Sequence, residues 1–234
     1  MKLSLVFLLI AFTFISSHEM IDKLIENEAY QNKKNILQQI GNRLFASNLE
    51  ASFIAGILSN VYHGKAIGKF EASKPKDNPD YIEKMDKYHE YKTKYSDKTI
   101  TEVSMPELEN LLEKLKKENW KNGQFGLGCL QWRGIRTYQL FQIYKQECSN
   151  CDRIKTKDAI ISEGKMIISE LTDENKYAKV YNEWKEQNQP AYTSKAAFNA
   201  GYILSKKYVI PANTEQNAKK IAETAKNMYI IMSS

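Results

Sequence analysis

Apolar residues recur at three- and four-residue spacing along most of this chain, and that period commits it to helices packed on one another. The sharpest instance is Leu49, Phe53, Ile54, Ile57, Leu58 and Val61. This stripe predicts a helix that serves as the buried spine of the fold. Ser47-Asn-Leu-Glu50 ahead of it reads as a capping box, and Gly64 stands where a left-handed C-terminal cap is expected. Ile36, Leu37, Ile40 and Leu44 predict a preceding helix over about 36–45. Later helices follow at Ser104 to Leu115, Arg136–Tyr144, Ala159–Leu171 and Tyr177–Trp184. Another starts at Thr193 or Ser194 and stops at Pro211, and the last runs from Asn213 or Thr214 to near Met232. The expectation is an all-α, single-domain protein of around eight helices.

Composition narrows the class. The 234 residues are 42% hydrophobic and 11% aromatic, too apolar for a disordered chain and too few for two full domains. With 10 Gly and 5 Pro, a many-turned β-sandwich is disfavoured. The net charge of +6 is spread along the chain and demands no nucleic-acid partner.

The N-terminus adds a second constraint. Met1-Lys2 precedes the apolar run Leu3 to Ile15, and the small residues Ser16-Ser17 follow. This is the three-part layout of a secretory signal, too short for a membrane span. Residues 1–17 are therefore expected to be removed, leaving 18–234 as a secreted or organelle-lumen protein without a membrane segment. In that oxidising setting Cys148 and Cys151 could close a local staple, or Cys129 could bridge to one of them. His18, His63 and His89 have no ligand spacing, so neither a metal nor a cofactor is expected, and the chain reads as a monomer.

Two stretches depart from the helical rhythm. Residues 65–104 are more polar and read as a helical insertion in which Tyr81, Met85, Tyr88, Tyr91 and Tyr95 form a packing stripe. Residues 121–134 gather Gly123, Gly126, Gly128 and Gly134 around Phe125, Leu127, Leu130 and Trp132, which reads as a loop or short hairpin. The end of the central helix and this loop could form two sides of a cleft. Glycosidic cleavage there would need a carboxyl group as proton donor beside the leaving oxygen.

Ala55-Gly-Ile-Leu-Ser-Asn60-Val-Tyr-His-Gly64, followed by Gly126-Leu-Gly-Cys-Leu-Gln131-Trp132-Arg-Gly-Ile-Arg136, resembles the phage tail lysozyme family of the lysozyme-like superfamily. The resemblance spans about Leu37 to Met228 and implies a lysozyme-like helical domain with bacterial peptidoglycan or a related glycan as partner. In that family a catalytic glutamate stands four residues after the asparagine, and here that position is Gly64. Glu71 could take over as the acid, catalysis could be lost with glycan binding kept, or the register could differ by a few residues. Under the resemblance Gln131 could orient water or hold an acetamido group, or else brace the loop by a hydrogen bond; Trp132 could stack on a sugar or anchor the core; and Tyr62 and His63 could line the cleft. Arg136 reads as a brace for the loop, and Cys129 has no partner set for thiol catalysis.

Overall fold

The computed structural model describes residues 16–71, 94–96, 98–117, 126–173, 177–209 and 214–234. Among them the chain is all-α, with no strand and only isolated β-bridges. Nine α-helices are described: α1 (Ser17–Glu26), α2 (Lys34–Ala46), α3 (Ala51–His63), α4 (Met105–Lys117), α5 (Ile135–Glu147), α6 (Thr156–Thr172), α7 (Ala178–Gln187), α8 (Ser194–Lys207) and α9 (Glu215–Ser233). The expected signal segment lies outside the described residues up to Ser16, as do Tyr81, Met85, Tyr88 and Tyr91 of the tyrosine stripe. Tyr95, the last of that stripe, is buried and stacks on Phe70 at 5.2 Å between ring centroids.

Helix α3 is the spine that its apolar stripe predicts. Every residue from Ser52 to Val61 is buried, so the helix is surrounded rather than laid on a surface. It packs against α8 and α9 on one side and α2 on the other. Small residues bring the first three together: a Cβ on Gly56 would lie 2.6 Å from that of Ala200, and one on Gly201 would lie 2.8 Å from that of Ala225. Asn60 ties this contact, donating through Nδ2 to the carbonyls of Gly56 and Gly201. Opposite Tyr181 and Trp184 of α7, the Phe53 ring sits 4.8 Å from each, closing the far end of the core.

Several local expectations are corrected. Glu50, not Ser47, is the N-cap of α3 and makes no side-chain cap bond. Ser47 donates instead to the Leu44 carbonyl and closes α2, because the two helices are separated by a turn with Asn48 at φ 60°. Gly64 is extended at φ −72°, ψ −176°, so it does not serve as a left-handed cap. Its glycine identity has another cause, described below. Helix α1 is missing from the periodicity reading; Ser16 Oγ accepts from Glu19 N to cap it, and Ile21, Leu24 and Ile25 bury its inner face against α2 and α9. Thr193 and Thr214 do cap α8 and α9, accepting from Ala196 N and Asn217 N. Of the two pairings left open for the cysteines, Cys148 joins Cys151 across 5.5 Å between Cα atoms. Cys129 is free and buried.

Candidate functional site

The C-terminal end of α3 and the glycine loop meet as the two motifs suggest. After Gly64 the chain runs beside the loop and bonds to it repeatedly. Lys65 N donates to Cys129 O at 2.8 Å, Gly128 N to Lys69 O at 2.9 Å and Glu71 N to Gly126 O at 2.7 Å. The loop folds on itself, since Leu127 and Trp132 exchange two backbone hydrogen bonds of 3.0 and 2.9 Å. Between them Gln131 takes the left-handed conformation at φ 56°, unusual for a side-chain-bearing residue and stabilised here by its amide. Gln131 Nε2 donates to the carbonyls of Lys69 and Gly128, bracing both chains at once.

Three carboxylates hold this turn in place. Glu163, wholly buried in α6, accepts from Gly68 N at 2.6 Å, Cys129 N at 2.8 Å and Tyr144 OH at 2.7 Å. Burial outweighs these donors and leaves its carboxyl above the usual range. Burial, with Glu163 beside them, also raises the Cys129 thiol and the Tyr144 phenol, so neither is poised to ionise. Glu170, one helical repeat further on, accepts from Trp132 Nε1, Tyr208 OH and two nitrogens of Arg136. Glu71 accepts from Gly126 N at 2.9 Å and forms an ion pair with Arg133. Each carboxylate fixes one part of a backbone whose side chains Leu127, Cys129, Leu130 and Trp132 are buried in the core.

Gly64 is where the two motifs touch most closely. A Cβ there would lie 2.4 Å from Cys129 O and 3.1 Å from Asn60 O. Contacts this short do not occur, so the loop backbone fills the space a side chain would need. Carbonyls at this helix end face a cation: Lys33 Nζ donates to Val61 O at 3.2 Å and to Gly64 O at 3.1 Å. This is the favourable charge for a helix C-terminus. Burial lowers the Lys33 ammonium from its ordinary value, with the Cys129 thiol acting in the opposite sense.

The expected site residues divide into two groups. Glu71 and Gln131 come together through Gly126, whose N–H meets the first and whose Cα carries a Cβ position 2.9 Å from the Oε1 of the second. Trp132 joins them in the loop but is fully buried, with its indole N–H on Glu170. Of the two roles open to it, this burial is that of a core anchor. Tyr62 and His63 turn elsewhere. Tyr62 donates to Ala29 O and meets Tyr30 edge-on. His63 Nε2 pairs with Thr224 of α9 at 2.8 Å. Burial, then Lys220 and Lys33, lower the His63 pKa from its usual value. Arg136 braces the loop from α5, as expected, and its guanidinium also stacks 4.3 Å from the Tyr177 ring centre.

Lys33, Arg133, Glu163 and Glu170 are missing from the expected set. The two glutamates carried a readable signal: both fall on the apolar stripe of Ile160, Ile167 and Leu171, where a charge has to be bonded. Two clefts flank the assembly. One of about 540 Å³ opens beside Arg133 and Arg136 on the α5–α6 side, and one of about 590 Å³ opens beside Lys33, Ala66 and Thr99. Among the described residues no group of three or more His, Cys, Asp or Glu could hold a metal ion, and no helix is long and apolar enough to cross a membrane. No protein-family model matches the chain, and neither a curated protein nor a solved structure was found to be similar to it.

Proposed function

We propose that this chain is an exported lysozyme-like protein that binds bacterial wall glycan without cleaving it. One observation carries the reading: the end of α3, where the resemblance calls for a proton-donating glutamate, has Gly64 against the Cys129 carbonyl and a lysine ammonium on the carbonyls of Val61 and Gly64. A general acid must hold a proton and present it to the leaving oxygen. Glycine holds none, and no side chain fits between the helix end and the loop. Glu71 lies close by, yet both its oxygens are engaged, one by the Arg133 guanidinium and one by the Gly126 N–H, so it is held in the loop as a brace. The loop itself, braced by Glu71, Glu163 and Glu170, is rigid enough to act as one wall of a binding surface.

The second reading, a glycoside hydrolase using Glu71, is favoured by the contact of both Glu71 and Gln131 with Gly126. Purified bacterial walls distinguish the two. Co-sedimentation of the protein with walls whose turbidity stays constant is the expected result. Turbidity loss that vanishes in Glu71→Gln would establish the hydrolase. If the walls are neither bound nor cleared, both readings fail.

A further inference from the structure

The end of α3, where the resemblance calls for an acid, carries the opposite charge. His63 closes the helix half-buried, its ring edge-on to Tyr62 and its Nε2 2.8 Å from Thr224 Oγ1 of α9. Thr224 gives its own hydroxyl hydrogen to the Lys220 carbonyl, so it accepts from the imidazole and leaves Nδ1 as the nitrogen able to take up a proton. The charges acting on the ring are two ammonium groups, Lys220 of α9 and Lys33 from the turn before α2. Neither lysine pairs with a carboxylate among the described residues. Glu223, next to Thr224, is taken up by Lys226 at 3.4 Å, and Glu28 has no effect on the ring. A helix C-terminus offsets only about half a unit charge, so the carbonyls of α3 leave most of the two ammonium charges uncompensated. Lys220 is exposed, which opens this cationic cluster to solvent.

We infer that Lys33, His63 and Lys220, gathered at the end of α3, form a subsite for the carboxylate of an acidic saccharide. An ammonium group has three N–H donors. Lys33 spends two of them on the Val61 and Gly64 carbonyls and keeps one, while Lys220 keeps all three. A carboxylate, with two oxygens and about four lone-pair sites, can accept from both lysines at once. Its negative charge also offsets the repulsion that holds the ring neutral, so His63 takes up a proton at Nδ1 as the anion arrives. A neutral sugar supplies no charge for this cluster. The inference rests on the glycan-binding reading and gives that reading a place and a sign of charge, at the position where a proton donor is missing.

Isothermal titration of the full chain with tri-galacturonic acid, tri-N-acetylchitotriose and citrate tests it. The acidic trisaccharide should bind, with the neutral one and citrate each at least about fivefold weaker. Lys220→Gln should lose about threefold in affinity and H63Q/K220Q about tenfold. Lys195→Gln, which removes an exposed charge at the start of α8, should keep the wild-type affinity. Binding should tighten about threefold between about pH 7.5 and about pH 5.5 in the wild type and change little in His63→Gln. No binding of the acidic sugar, equal binding of the neutral sugar or of citrate, equal losses in Lys220→Gln and Lys195→Gln, or a wild-type affinity indifferent to pH would overturn the subsite. Wall co-sedimentation separates the two levels. Walls retained equally by wild type and H63Q/K220Q would leave wall binding standing without this subsite. An acidic trisaccharide bound through Lys220 by a protein that ignores walls would keep the subsite and remove the wall reading.

Discussion

A Cβ at residue 64 would meet the Cys129 carbonyl oxygen at 2.4 Å, and both groups belong to backbone that hydrogen bonds hold in place. Gly64→Ala should therefore cost about 1–3 kcal/mol in urea denaturation, and Gly64→Glu more, as overpacking does where neighbours cannot yield. Restoring the glutamate should accordingly produce no hydrolysis. A few ångströms away His63 gives a pH signature. Its pKa is lowered in the folded state, so on acidification through its ordinary value of 6.5 the unfolded chain takes up a proton that the folded chain resists. Stability from this residue is present above that pH and falls as pH drops towards the depressed value. Comparing urea midpoints at about pH 7.5 and about pH 5 should show a loss in the wild type that is smaller in His63→Gln.

Helix α6 works as a carboxylate rail under the glycine loop. Glu163 accepts two backbone N–H groups and a phenol, so Glu163→Gln turns an NH2 donor towards donors and leaves at least one unpaired. The expected loss is about 2–4 kcal/mol, read from the urea midpoint. Glu71→Gln should cost under about 1 kcal/mol, since the Arg133 guanidinium remains partly in water. The helices themselves were legible: α2, α3 and α6 bury most of the stripe that their spacing marks, and Thr193 marks the start of α8. Helix α1 was not, because Ile21, Leu24 and Ile25 make a stripe of three in a polar segment just after the apolar run Leu3 to Ile15. The rail was hidden for a different reason: a charge on a helix is ordinarily solvated, and only the loop overhead explains why Glu163 and Glu170 are buried. Gly64 and Trp132 stand out in the sequence, but what they touch depends on contacts between distant segments that spacing does not encode.

At the scale of the whole molecule, a central helix wrapped by α2, α8 and α9 supports one irregular loop on its end, and Glu71, Glu163 and Glu170 hold that loop. The Cys148–Cys151 bond closes too short a ring to govern the fold; its reduction should cost no more than about 2 kcal/mol, measured as a shift in thermal midpoint. The central claim is that the scaffold keeps recognition and lacks a proton donor. Incubating the purified chain with bacterial wall glycan, and assaying bound protein and newly formed reducing ends in the same tube, tests it most directly. The account predicts protein on the glycan and no reducing ends above the protein-free control. Reducing ends that accumulate with the wild type and not with Glu71→Gln would contradict it.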